Sequence, residues 1–279
     1  MVTWLEAAFR WTHVVAAILW IGNLYFFNFV NAQVAKSYDP ESRKKVVPEL
    51  MPRALYWFRW GAVYTWTSGM LLAGLVYYSV DNLIRKDVSG RATISHIAGV
   101  AISLALIGVV FFVYEAVWNA SGKNERVGVG ALYGLFVILL FLLSRIFTGR
   151  ALFIHAGMLF GTVMIMNVWM RIWPAQKKLI QAAKGVAAAP DATVAAMAAL
   201  RSKHNTYLSV PLVFTMISNH YPTLYGGEHS WITLAAIIAL GFGVAKLLYL
   251  KSAGPAPALY GAAAPAPPTG TPGMAAPKP

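Results

Sequence analysis

The six histidines are the residues with the most chemistry to offer. Neutral imidazole ligates haem iron and relays protons. Three of the six sit in similar settings: Trp11-Thr12-His13-Val14-Val15-Ala16, Ile94-Ser95-His96-Ile97-Ala98-Gly99 and Phe153-Ile154-His155-Ala156-Gly157-Met158. Each is followed by small or β-branched residues that let a flat ligand approach a helix. His220 is a fourth candidate. The chain contains no cysteine. That removes disulfides, thiolate metal sites, cysteine nucleophiles, iron–sulfur clusters and covalently attached haem. Haem b needs no thiol, because two histidines on facing helices at equal depth can hold it. Haem b is therefore the expected cofactor, with His13, His96, His155 and His220 as binding candidates. His13, His155 and His220 are the candidate iron ligands, their pairing left open. The alternative is that these rings pack or cap helix ends.

The elements that must position them follow from composition. The chain has 279 residues, 58% hydrophobic and 12% charged, against roughly 25% charged in soluble domains. This predicts an all-α polytopic membrane helix bundle. Apolar runs of about 20 residues give about seven transmembrane helices, near 8–31, 56–80, 95–118, 127–148, 150–173, 207–224 and 230–250. Lys and Arg fall unequally on alternate sides. Arg10, Arg85, Lys86, Arg91, Arg145 and Arg150 hold one side, and the rest of the 23 hold the other. The bias puts the N-terminus outside and the C-terminus in the cytoplasm. His13, His96, His155 and His220 then share the outer boundary, while His204 lies on the cytoplasmic side.

Other polar residues interrupt the spans. Asn23, Asn28, Asn31, Asn167, Ser218 and Asn219 line a functional interior or glue helices together. Arg59 and Glu115 lie near span ends, where they can snorkel, and Trp57, Trp60 and Trp66 read as interface anchors. The net charge of +13 is dispersed over separate loops, which speaks against nucleic acid and for anionic lipid. Two domains are expected. Residues 1–252 form the transmembrane part, with a cytoplasmic amphipathic loop at about 174–206. Residues 253–279, rich in Pro, Ala and Gly, form a disordered tail.

Several segments resemble a known family. The stretch His13-Val14-Val15-Ala16-Ala17-Ile18-Leu19-Trp20-Ile21-Gly22-Asn23-Leu24-Tyr25-Phe26-Phe27-Asn28-Phe29-Val30 looks like the first span of the membrane-bound urate oxidases (urate hydroxylase, PuuD type). So do Arg201-Ser202-Lys203-His204-Asn205-Thr206-Tyr207, Met216-Ile217-Ser218-Asn219-His220-Tyr221-Pro222, and Asn167 through Trp173-Pro174-Ala175-Gln176. The first three spans are also distantly similar to membrane haem proteins of the HemJ protoporphyrinogen oxidase type. The shared features are His13, Trp20-Ile21-Gly22 and Met51-Pro52-Arg53-Ala54-Leu55-Tyr56. The functional third-span lysine of those proteins has no counterpart, since Ala98 and Gly99 occupy that region.

The urate oxidase resemblance implies oxidation of urate to 5-hydroxyisourate in a bacterial inner membrane. Electrons would pass through bound haem b to a cytochrome c or a respiratory complex. His204, Asn205 and Tyr207 are the implied catalytic residues, and Arg201 and Asn219 the substrate-binding ones. Full-length members carry a C-terminal cytochrome c domain. This sequence has no Cys-x-x-Cys-His and ends in the Pro/Ala tail, so either the acceptor is a separate protein or the activity has been lost. Oligomerisation is compatible with this reading. The alternative is a non-catalytic haem b electron-transfer or structural subunit of a respiratory assembly.

Overall fold

The structure is a computed structural model that describes residues 2–122 and 124–254. Most of the expected tail, 255–279, lies outside the described residues. The rest is helical throughout, as composition requires. In a lipid core, backbone N–H and C=O groups must be satisfied within the segment itself.

Helix α1 (Val2–Tyr25) runs into a π-helical turn, Phe26–Asn31, and ends with Ala32–Val34. Helix α2 (Pro40–Ala73) begins at Asp39, whose carboxylate accepts the Glu41 and Ser42 N–H groups at 2.8 Å each, with Pro40 preset for the first turn. A π-helical turn, Gly74–Tyr78, closes it. Helix α3 (His96–Ala120) is capped by Ser95, and α4 (Glu125–Ser144) by Asn124. Helix α5 (Gly149–Asn167), capped by Thr148, passes through a third π turn, Val168–Ile172, into α6 (Trp173–Ala183). Helix α7 (Ala192–Ile217) starts at the Asp191 cap and ends in the 3₁₀ turn Ser218–His220. The short α8 (Pro222–Tyr225) and the long α9 (Ser230–Ser252) complete the chain.

Five stretches are long and apolar enough to cross a membrane: Thr3–Val34, His96–Ala120, Glu125–Ser144, Gly149–Ala183 and Ser230–Ser252. The other two expected spans, 56–80 and 207–224, fall on α2 and α7. These are equally helical but more polar. The reason on α7 is burial, because Arg201, His204, Asn205, Thr206 and Ser209 turn into the protein and away from lipid. Helix α5 is the central element. Of its apolar stretch 78% is buried inside the protein, against 17–28% for the other four. Those four present Leu, Ile, Val and Phe outward, as lipid-facing helices must.

Close helix approaches rest on small residues, the usual device where lipid gives no hydrophobic drive to pairing. A Cβ placed on Gly61 of α2 would lie 3.1 Å from the Trp20 amide nitrogen and 3.2 Å from the Ala16 carbonyl oxygen of α1. Gly241 of α9 meets Pro211 of α7 in the same way, 3.0 Å from its Cδ. At one end of the bundle the 79–95, 145–148 and 218–229 connections gather. Thr148 N–H donates to the Leu83 carbonyl at 2.9 Å and Arg85 N–H to the Ile146 carbonyl at 2.8 Å.

Gly61→Leu should therefore force α1 from α2 and cost roughly 1–3 kcal/mol by overpacking, read as a lower unfolding midpoint in detergent. A second expectation concerns pH. The Ser42 backbone N–H and then its hydroxyl hold the Asp39 carboxyl below its ordinary range. The cap is thus fully formed above the ordinary carboxylate pKa and is lost as pH falls through the depressed one. The protection factors of the Glu41 and Ser42 amides should fall in acid, while an Asp39→Asn variant, which keeps an accepting oxygen, should show no such pH step.

A candidate site built on a buried carboxylate and two arginines

Residues Arg201, His204 and Asn205 are spaced i, i+3, i+4, so α7 presents them on one face. That face meets Tyr114, Glu115 and Trp118 of α3, and Asn167 and Arg171 of α5 and its π turn. Glu115 is the centre of charge. Its Oε2 accepts from Arg171 Nη2 at 2.6 Å and Nε at 3.2 Å, and its Oε1 lies 2.6 Å from Arg201 Nη2. The Arg201 contact is an ion pair whose N–H is not aimed at the oxygen, so Oε1 has no hydrogen bond. The side chains of Glu115 and Arg201 are only 12% and 5% exposed. One carboxylate thus serves two guanidinium groups, the buried one of Arg201 and the 38% exposed one of Arg171.

Neutral polar groups extend the cluster. The Tyr114 hydroxyl and His204 Nδ1 are 2.6 Å apart, and Trp118 closes on the His204 ring at 4.5 Å between centroids. Arg201 lies over the Tyr114 ring at 5.0 Å. The Asn167 amide donates to Asn205 Oδ1 at 2.9 Å, and the Asn205 amide donates to the Met164 carbonyl at 2.9 Å. Besides Glu115 Oε1, four buried atoms of this group have no hydrogen-bond partner within the described residues: Arg201 Nε and Nη1, His204 Nε2 and Asn167 Oδ1. Unmet polar atoms in a dry interior are costly. Donors and an acceptor left open around the buried Arg201 guanidinium suit a small, flat anion with both carbonyl and N–H edges.

Two of the implied residues are elsewhere. Tyr207 stacks on Tyr249 at 5.7 Å and 18°, facing α9. Asn219 accepts from Arg150 Nε at 2.9 Å, beside the clustered connections. Sequence reasoning missed the ionic role of Glu115 and Arg171. Glu115 does not snorkel; it is pinned between two arginines. The available signal was a carboxylate inside the most apolar helix, where ionisable groups commonly mark function. Arg59 likewise stays among rings, with its guanidinium 3.9 Å from the Trp173 centroid. Trp66 is tied inward as well, its Nε1 donating to Thr162 Oγ1 at 3.0 Å. A groove of about 270 Å³ between Val63, Trp66, Thr162, Ile165, Met166 and Trp169 follows the same stretch of α5 but carries none of the cluster's groups.

The four histidines at the other end form a chain and two separate contacts. His155 Nδ1 is 2.7 Å from the Ala151 carbonyl, so it must donate there, and Nε2 then accepts from Ser103 Oγ at 2.7 Å. Ser103 Oγ is also 2.6 Å from the Tyr78 hydroxyl, and His96 Nε2 is 2.9 Å from the Tyr78 carbonyl. His13 Nδ1 is 3.2 Å from Ser68 Oγ. The Ser68 proton goes to the Tyr64 carbonyl at 2.5 Å, so His13 donates and keeps its lone pair on Nε2. His220 is exposed in its 3₁₀ turn.

His155 does not fit as a haem ligand, because its Nε2 lone pair is taken by Ser103 and its ring is walled by Phe147 at 4.7 Å. His96 Nε2 donates to a carbonyl, and its buried Nδ1 has no partner among the described residues. His13 offers a free lone pair, but its polar partner is Ser68 and not a second histidine. Among the described residues no three His, Cys, Asp or Glu side chains gather as a metal site.

An all-helical membrane protein with an ionic cluster inside its bundle is the class these features define. The urate oxidase N-terminal family model matches residues 1–46 and 38–266. The chain belongs to that family, and the matched region includes every residue of the cluster. No curated protein and no solved structure matches it.

Glu115→Gln leaves two cations without their counter-ion and should destabilise the protein by about 3–5 kcal/mol. Pairing it with Arg171→Gln should recover part of the loss. Urea unfolding of the detergent-solubilised variants checks the cycle.

Proposed function

We propose that the protein is a membrane oxidoreductase that binds urate at the Arg201–His204–Asn205 face of α7 and oxidises it to 5-hydroxyisourate. The observation that carries this reading is the set of open polar atoms around the buried Arg201 guanidinium, in a chain of the urate oxidase N-terminal family. Urate at neutral pH is a planar monoanion with carbonyl oxygens and ring N–H groups. The free N–H groups of Arg201 suit its anionic edge and a carbonyl, and Asn167 Oδ1 suits a ring N–H. A site built to satisfy such groups discriminates strongly against a ring that lacks them.

The reaction takes urate and one water to 5-hydroxyisourate, two protons and two electrons. A C–O bond forms at C5 of the ring, and an O–H bond of the water breaks. His204, hydrogen-bonded to Tyr114, is suited to receive the water's proton. The two electrons reduce two molecules of ferricytochrome c, a separate acceptor in this reading. No step is assigned to haem, because the His155 lone pair is taken by Ser103. The carrier alternative requires such a haem.

Purified protein with urate and ferricytochrome c should bleach the urate absorbance, with two ferrocytochrome c formed per urate. Arg201→Gln and His204→Gln should each lower kcat/KM by about 100-fold or more, the second without touching the ion pairs. Absence of urate loss with ferricytochrome c and with membrane quinones alike would remove the proposal.

A further inference from the structure

The gathered connections enclose a cleft of about 340 Å³ that has no part in the urate reading. It is lined by Arg85 and Lys86 from the 79–95 connection, Thr148, Gly149 and Arg150 from the start of α5, and Glu228 and Ser230 from the start of α9. We infer that this cleft binds a phosphate group, either free phosphate or the headgroup of an anionic phospholipid.

Charge and donor geometry both argue for it. Three cations face a single lining carboxylate. The existing partners of these cations leave them capacity. Arg85 Nη1 donates to the Ser144 carbonyl at 3.2 Å, and its Nη2 is 3.9 Å from Glu228 Oε1, at the outer limit of an ion pair. Glu228 is 80% exposed, so that contact is weak and easily displaced. Lys86 Nζ holds Asp81 at 2.5 Å on the solvent side. Arg150 is fixed through Nε by Asn219 at 2.9 Å. That bond holds the fork in place while its Nη groups remain for a ligand.

The start of α5 also favours a tetrahedral oxyanion over a carboxylate. Thr148 Oγ1 caps the Ala151 N–H at 3.2 Å. The first two N–H groups of α5, on Gly149 and Arg150, therefore remain at the positive end of the helix dipole, inside the cleft. Gly149 keeps the floor closed, because a Cβ there would run into the Tyr225 carbonyl. Two guanidinium forks, an ammonium and backbone N–H groups supply more donors than a carboxylate's two oxygens can use, and a phosphate has the oxygens to match them.

Purified protein in a neutral detergent tests this, with the unfolding midpoint as readout. One arm titrates inorganic phosphate against chloride at matched ionic strength. The other titrates short-chain phosphatidylglycerol against phosphatidylcholine. The midpoint should rise with phosphate, with phosphatidylglycerol, or with both. A phosphate response assigns the free anion, and a response to phosphatidylglycerol alone assigns the headgroup. Arg85→Gln with Lys86→Gln should need about tenfold more ligand for the same rise. Glu228→Gln, which removes the competing carboxylate, should need less. No rise in either arm overturns the site. So does a rise that neither the double variant nor Glu228→Gln alters.

Discussion

A guanidinium cannot stay ionised inside a membrane bundle unless something carries its charge, and Arg201 cannot lose its proton. This requirement governs the interior of the protein. Glu115 answers it, and in doing so draws in Arg171, so that α3, the α5 π turn and α7 are held at one point by charge. Breaking a buried pair costs far more than forming it gains. The cluster is therefore poor as a source of stability and effective at fixing which helix faces meet. The polar residues of α7 are buried for the same reason, and this is what leaves that helix too polar to read as a simple span.

The π turns adapt the helices to this arrangement. Each adds a residue to a helical turn and rotates the helix beyond it. Arg171 sits in one, just after Asn167, so that both reach the shared interior. Tyr78 sits in another and contacts His96 through its carbonyl and Ser103 through its hydroxyl. Asn28 sits in the third; its amide donates to Ser202 Oγ at 2.8 Å and its Oδ1 accepts from the Tyr249 hydroxyl at 3.0 Å. All three regions join helices distant in sequence. At such sites regular backbone gives way to side-chain bonding, as is common near functional centres.

The two ends of the molecule divide the polar work. One interior cluster, around Glu115, holds charge and open hydrogen-bonding atoms. The other end holds imidazole rings bonded to serine and backbone carbonyls, with His96 Nδ1 left without a partner among the described residues, next to a basic cleft formed by three connections. Four histidines at one boundary of the sequence-derived topology suggest a cofactor grip. Three of the rings, His13, His155 and His96, bond individually to Ser68, Ser103 and Tyr78, which makes them ties between helices in this structure. Sharing a depth does not make two rings face each other. The facing depends on helix rotation, which composition does not encode.

Membrane character, an all-helical fold and the urate oxidase family were readable from the chain alone. Apolar length and the absence of other ways to satisfy backbone in lipid leave little choice, and the His204-Asn205 and Asn219-His220 segments are distinctive. The i, i+3, i+4 spacing of Arg201, His204 and Asn205 also fixed that they share a helix face. Which face Tyr207 takes, which cation pairs with Glu115, and where Asn219 points were decided only by tertiary packing. These depend on the rotation of α7 against α3, α5 and α9, set by close contacts at Gly157 and Gly241 and by the π turns. Glu115 and Arg201 lie on helices far apart in the chain, and their charges come within bonding distance only after those helices have docked.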